Sequence, residues 1–354
     1  MKKLKVALAG FGVVGQRRFK VLTEHEHYEV VAIADNKFGT GEDGPPSIDT
    51  FEDFQSLTAL DIDVLFVSLP NDVAPKATIM GINNGWHVFC EKPPGRTVQD
   101  IKDVITVAEL NPHLKLKYGF NHRYHDSVQR ALEIIQSGEM GRVINMRGVY
   151  GKSEFIPWPR PSHEAAQQAG SKYWRTSRDI AGGGILLDQG IHMVDLMRIF
   201  ASEFVDVKSF VSSDYWKHDV EDNAYALMRT NDGVVAMLHS TATQWQHSFS
   251  LDIHLEEGAL LLSGILSGSK SYGDEKLTVI YREENVEGRP REAMTKYIKD
   301  HSWNDEIDDF ATHILKETPV AHGTADDALK TMELVFRIYN ADDMWVDKIK
   351  AGEQ

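Results

Sequence analysis

The chain opens with short apolar runs that alternate with stretches of helical period. Residues 4–10 (LKVALAG) read as a buried strand and 13–23 as a helix. Strands follow at 29–34 (EVVAIA), 63–69 (DVLFVSL), 86–90 (WHVFC) and 114–120 (LKLKYGF), with helices near 73–84 and 97–110. Strands separated by helices predict right-handed βαβ units and a parallel sheet. After residue 121 the pattern changes. A helix at 126–137, closed by Gly138, leads to a strand at 142–150, a Pro- and Gly-rich stretch from 156 to 184, and a helix at about 185–200. Six strand candidates then run from 205 to 282 (VDVKSFVS, NAYALMRT, GVVAMLHSTAT, FSLDIHLE, GALLLS, KLTVIY) without intervening helices. They predict a largely antiparallel sheet with one face left over for a site or a partner. The turn Asn231-Asp232-Gly233 is a strong hairpin signal. Helices near 303–316 and 324–341 are expected to end the chain.

Composition narrows the class. A length of 354 residues suits two domains, and 42% apolar with 26% charged residues is ordinary for a globular protein. No stretch approaches the roughly 18 apolar residues of a membrane span. The start, MKKLKVALAGFGVVG, has the basic edge of a signal peptide. Glycines interrupt its apolar run and no small-residue cleavage site follows, so it reads as a strand. The single cysteine, Cys90, fits a reducing cytosol, and the expected location is cytoplasmic. A formal charge of −15 argues against nucleic-acid binding through a general basic face. The acidic clusters Asp305/Glu306/Asp308/Asp309 and Asp326/Asp327 read as solvated helix faces.

Candidate chemistry begins at Gly10-Phe11-Gly12-Val13-Val14-Gly15, a G-x-G-x-x-G run that follows a strand and opens a helix. In that context Gly10 makes the tight turn, Gly12 admits a pyrophosphate against the backbone, and Gly15 lets helix and strand pack closely. The helix N-terminus supplies N–H groups and the positive dipole end. Asp35 ends the second strand 20 residues beyond Gly15. A carboxylate there accepts from ribose hydroxyls and repels a 2′-phosphate, which favours NAD over NADP. Lys37 stands nearby to soften that preference, and Asp35 also reads as a plain strand-end turn residue.

Glu91-Lys92-Pro93-Pro94 follows the strand WHVFC, at the sheet edge where open α/β sheets place ligands. A lysine there can relay a hydroxyl proton, though a solvated turn lysine fits the spacing equally. In GGGILLDQGIHMVD (182–195), Asp188 and His192 stand four apart and would share one helix face, with Asp195 three further on. A carboxylate beside an imidazole makes an acid/base pair. A helix cap, a core histidine and two metal ligands remain alternatives, and no third and fourth ligand stands at the usual spacing for a metal. Asn121, His122, Arg123, Tyr124 and His125 leave the last strand of the first domain as polar and aromatic groups suited to a polyhydroxylated ligand, or as an exposed linker. Trp174, Arg175, His239 and Trp245 would line a sugar pocket, or serve packing.

Together GFGVVG, EKPPGRT and GGGILLDQGIHMVDL resemble the glucose-fructose oxidoreductase / inositol dehydrogenase / rhizopine catabolism (Gfo/Idh/MocA) family, over nearly the whole chain. The resemblance implies an α/β fold: a Rossmann domain over 1–121, then a substrate-binding and oligomerisation domain over 122–354 whose large open sheet is mostly antiparallel. The last helices would be free to pack back on the first domain. It implies a catalytic set of Lys92, Asp188 and His192. Cofactor contacts fall on Gly10, Phe11, Gly12, Val13, Val14, Gly15, Asp35, Leu69, Pro70, Asn71, Glu91 and Lys92, and substrate contacts on Asn121, His122, Trp174, Arg175 and His192. The implied activity is NAD-dependent hydride exchange with a sugar, sugar nucleotide or cyclitol, by a homodimer or homotetramer. A keto-sugar reductase working in reverse, a non-catalytic NAD-sensing regulator and a metal-dependent lyase, which would require metal in the purified protein, are the competing readings. The sequence departs from the family at His122, where an arginine is usual, and at Pro94, where an aliphatic residue is usual.

Overall fold

Six strands of one hydrogen-bonding sense account for the first third of the chain. The structure is a computed structural model and describes residues 3–154, 173–282 and 290–352. The chain divides into two compact units, Met1–Asn121 with Trp303–Met332, and His122–Ser302 with Glu333–Gln354.

In the first unit β1 (Leu4–Ala9), β2 (Tyr28–Ala34), β3 (Asp49–Phe51), β4 (Val64–Val67), β5 (His87–Glu91) and β6 (Leu116–Gly119) form a parallel sheet in the order β3-β2-β1-β4-β5-β6. The order reverses between β1 and β4, so a crevice opens beyond their carboxyl ends. β1 and β4 are apolar along their buried runs because helices cover both faces of such a sheet. Phe66 and Phe89 stack at 4.9 Å, and Phe310 of the helix Ser302–Leu315 meets both edge-on. Thr97 and Asp100 form a reciprocal capping box that starts the helix Val98–Glu109.

The solvated-face expectation for the acidic cluster fails at Glu306 and Asp309. Glu306 is fully buried against Arg18, and Asp309 accepts from the buried Lys117 at 2.7 Å. An i, i+3/i+4 pattern does not show which neighbour supplies buried cations.

In the second unit β7 (Val143–Gly151), β8 (Phe204–Ser212), β9 (Asn223–Thr230), β10 (Val235–Thr241), β11 (Ser248–Leu255), β12 (Gly258–Ser263), β13 (Glu275–Tyr281) and β14 (Glu292–Tyr297) form an eight-stranded sheet ordered β14-β13-β12-β11-β7-β10-β9-β8. Every pairing is antiparallel except β10 with β7. The Asn231–Gly233 turn joins β9 to β10 as the hairpin signal implies. β9 alternates buried and exposed along its length, so one face packs and one stays open. On the packed face the helix Ile191–Ala201 lies so close that a Cβ on Gly148 would meet Met197 Cε at 2.4 Å. The chain ends not on the helix Ala325–Asn340 but on a further one, Asp343–Gly352. Much of the Pro- and Gly-rich stretch, residues 155–172, lies outside the described residues.

Candidate active site

The glycine fingerprint separates into two kinds of glycine. A Cβ on Gly10 would stand 2.3 Å from Ser68 O, and one on Gly15 would stand 2.1 Å from Gly10 O. Packing within the unit therefore demands glycine at both, and Gly10 also has a φ of +97°. Gly12 is different: a Cβ there would meet nothing within 4 Å, and its φ of −70° suits any residue. Gly12 is also the N-cap of the helix Val13–Glu24, with no side-chain cap and no acidic residue in the first turn. Phe11, Gly12, Val13 and Val14 thus present an open helix N-terminus at the sheet's carboxyl edge, which suits a pyrophosphate.

Asp35 stands beside it. Its Oδ2 accepts from Phe11 N–H at 2.5 Å and its Oδ1 from Lys37 N–H at 3.2 Å, so the carboxylate is fixed against the fingerprint turn. Lys37 Nζ lies 4.8 Å over the Phe11 ring and 3.6 Å from Glu42 Oε2. Leu69, Pro70 and Asn71 follow β4 at the same edge; Asn71 is buried, and Pro70 O caps the next helix by accepting from Val73 and Ala74 N–H. These groups fit a nicotinamide dinucleotide: an open cradle for phosphate, and a fixed carboxylate for ribose hydroxyls.

Glu91 ends β5, and the Lys92–Pro93 bond that follows is cis. The Glu91 side chain is held by the fingerprint helix. Its Oε1 accepts from Arg18 Nε at 2.6 Å. Lys92 is half-buried, at the start of a loop whose Pro93, Pro94 and Gly95 are buried.

The other candidates, Asn121 apart, lie in the second unit. Asn121 and His122 begin a single 3₁₀ turn, Asn121–Tyr124, and both are buried. His122 and His192 stack face to face at 3.7 Å, 12° from parallel, and His122 Nε2 lies 3.0 Å from Tyr150 OH. The Asp188–His192 spacing is not that of one continuous α-helix. Residues Leu186–Gly190 form a π turn, and the α-helix starts only at Ile191. The extra residue reorients Asp188, and such insertions are frequent at functional sites. Asp188 accepts from Lys152 Nζ at 3.1 Å and Arg175 Nε at 3.2 Å. Arg175 in turn donates to Tyr173 OH and lies over the Trp174 ring at 4.3 Å. Asp195 does not extend this set, because Arg123 clamps it from two nitrogens at 2.7 and 2.6 Å.

Glu221 holds the segment in place, and sequence reading misses it. Its buried carboxylate accepts from Gly184 N–H, Leu186 N–H and Tyr339 O–H at 2.7–2.9 Å. Burial pushes this carboxyl above its ordinary range, against the pull of those donors. Nor does the sequence mark Tyr150, Lys152, Gln189 or Tyr272, although Gln189 Nε2 donates to Tyr272 OH. His239 and Trp245 do not join them. His239 pairs in register with Val149, on the sheet face opposite Tyr150, and stacks on Tyr225 at 3.9 Å. Trp245 is exposed beside Tyr215 and Trp216. Among the described residues no group of three or more His, Cys, Asp or Glu is placed to hold a metal.

A phosphate cradle at the switch point of a parallel sheet, with a fixed carboxylate at the end of β2, defines the class: a dinucleotide-binding Rossmann fold. Comparison with known proteins narrows it. Residues 4–118 match the oxidoreductase family with NAD-binding Rossmann fold, and residues 128–261 match the GFO/IDH/MocA C-terminal domain, so the chain belongs to the Gfo/Idh/MocA family. It is 28% identical over 213 residues to 1,5-anhydro-D-fructose reductase of Ensifer adhaerens, a match spanning 58% of this chain and 59% of that protein's length. It is 24% identical over 363 residues to D-glucoside 3-dehydrogenase of Escherichia coli (strain K12), covering 96% and 95% of the two chains. A structure of levoglucosan dehydrogenase in complex with NADH shares the fold, with a TM-score of 0.79 at 20% identity over 97% of this chain and 98% of that one. No helix among the described residues is long and apolar enough to cross a membrane.

Proposed function

We propose that this protein is an NAD-dependent dehydrogenase of a sugar, sugar nucleotide or cyclitol. The observation that carries the reading is Gly12: nothing in the unit's own packing requires glycine there, and a pyrophosphate does. Asp35 would accept from the ribose hydroxyls of a bound dinucleotide, and a 2′-phosphate would face its charge. Lys37, the nearby cation, is already engaged by Glu42. That arrangement favours NAD. The second unit supports a polyhydroxylated substrate, because His122, His192, Tyr150, Asp188 and Arg175 offer hydrogen bonds of both senses.

The nicotinamide ring, when bound, supplies a hydride acceptor or donor at C4. With that ring bound, Lys92 Nζ would take the O–H proton of a CH–OH group as it is oxidised to C=O. Lys92 must be unprotonated for this step and protonated for the reverse. His192 holds the reacting oxygen and shares the proton, its imidazole kept in orientation by the ring of His122. Asp188, neutralised by Lys152 and Arg175, supports the substrate from the π turn without leaving an unpaired anion. Asn121, His122, Trp174 and Arg175 serve substrate binding.

The open face of the second sheet supports self-association. Phe210, Tyr225, Leu227 and Met237 stand exposed on neighbouring strands β8, β9 and β10, in adjoining register rows. The function is tested by nicotinamide absorbance with NAD and NADP across free sugars, cyclitols and nucleotide sugars. Turnover on one of these classes with NAD supports the reading. Tight NADH binding with no turnover on any class counts against it.

A further inference from the structure

Arg18 lies on the fingerprint helix with its side chain fully buried. A guanidinium in that position is costly unless its charge is met on the spot. It is met from both sides: Nε donates to Glu91 Oε1 and Nη2 to Glu306 Oε2, each at 2.6 Å. Its flat faces lie 4.5 Å from the Phe89 ring and 4.3 Å from the Trp303 ring. The neighbouring strand makes room for the pair, since a Cβ on Gly119 would come within 2.9 Å of Glu91 Oε2 and 3.3 Å of Arg18 Nη2. Other charges around this cluster include Lys117 of β6, which attracts Glu306, Asp309, which accepts from Lys117, and Arg17, whose guanidinium lies 4.7 Å over the Trp303 ring. Burial pushes the Glu306 carboxyl up to about 7, and Glu91 is the second carboxylate that Arg18 grips.

Glu91 is also the residue immediately before Lys92. We propose that Arg18 is the positioning residue of Lys92: by clamping Glu91 it fixes where the Lys92 loop leaves β5, and by neutralising Glu91 it removes an adjacent anion that would hold Lys92 protonated. This rests on Lys92 carrying the proton, as proposed above. It adds a physical link from the helix that binds the pyrophosphate to the loop that handles the proton, both gripped by one side chain.

The test compares Arg18→Lys, Arg18→Met, the double variant Arg18→Met with Glu306→Leu, and Lys92→Met. The double variant replaces the released buried carboxylate with an apolar group, which keeps the unit foldable if Arg18→Met alone does not fold. NADH titration and thermal melts check each preparation. The double variant is expected to keep NADH affinity within about twofold and lose about tenfold in kcat at neutral pH. The acid limb of its kcat profile for alcohol oxidation should move up by about one pH unit. Arg18→Lys, which keeps the charge, should return the limb toward wild type. A merely structural role would lower stability and leave the limb in place. An unmoved limb, with Lys92→Met inactive, overturns the positioning role alone. Full turnover by Lys92→Met overturns the assignment of Lys92 and the inference with it.

Discussion

Gly12→Ala is the substitution that separates a folding requirement from a binding one. The added methyl enters open space, with no heavy atom within 4 Å, on a backbone at φ −70° and ψ −165° that alanine adopts freely. Alanine is a poorer N-cap than glycine by roughly half a kcal/mol. Against this, losing glycine's freedom in the unfolded chain returns about 0.4–1 kcal/mol. The two nearly cancel, so the variant should melt within about 3 °C of wild type. NADH binding should respond quite differently. The methyl occupies the surface the pyrophosphate must touch, and overpacking a close contact costs about 1–3 kcal/mol, or roughly 5- to 150-fold in Kd. Fluorescence titration of NADH on the variant reads this directly, with Gly15→Ala as the contrast. That methyl would sit 2.1 Å from Gly10 O and should impair folding itself. An unchanged Kd for Gly12→Ala would refute the cradle.

Three further outcomes are expected. Asp35→Ala should raise relative affinity for NADP over NAD about tenfold or more by removing the charge that opposes a 2′-phosphate, and an unchanged affinity ratio would exclude the ribose contact. Glu306→Gln should alter how stability depends on pH. Burial raises the Glu306 carboxyl from 4.5 to about 7, so its stabilising contribution is full below 4.5 and lost as pH rises through about 7. At 1.36 kcal/mol per pH unit the loss is about 3 kcal/mol, and the variant should gain on wild type by that order between pH 4.5 and 8 in denaturant melts; parallel profiles would contradict it. Leu227→Lys, which places a cation on the open sheet face, should shift the protein toward smaller species in light scattering, and a wild type that is monomeric at micromolar concentration would end the self-association proposal.

The parts legible in the sequence are those whose determinants are local. The fingerprint glycines, the βαβ alternation and the β9–β10 hairpin each declare themselves within a dozen residues. β3 and β14 escape because neither shows an apolar run: Asp49–Phe51 is three residues long, and EAMTKY is almost wholly exposed. The π turn escapes because 185–200 is apolar on nearly every side, so periodicity cannot register one inserted residue. The clusters around the candidate site are the least legible. Arg18 reaches Glu91 across 73 positions and Glu306 across 288, and nothing near any of them announces the other two. For the same reason Lys152 looks like an ordinary strand-end lysine until the fold brings it to Asp188. The return of Trp303–Met332 to the first unit is written in Ile307 and Phe310, whose apolar partners lie some 200 residues or more earlier in the chain.

The central claim is that Lys92 carries the proton of an NAD-linked alcohol oxidation, and Lys92→Met measures it most directly. On whichever sugar, cyclitol or nucleotide sugar the wild type turns over, the variant should bind NADH with a Kd within about threefold of wild type. Its kcat should fall by at least the 10²-fold typical of losing a general acid–base. A kcat within a few-fold of wild type, with NADH still bound, would contradict the account.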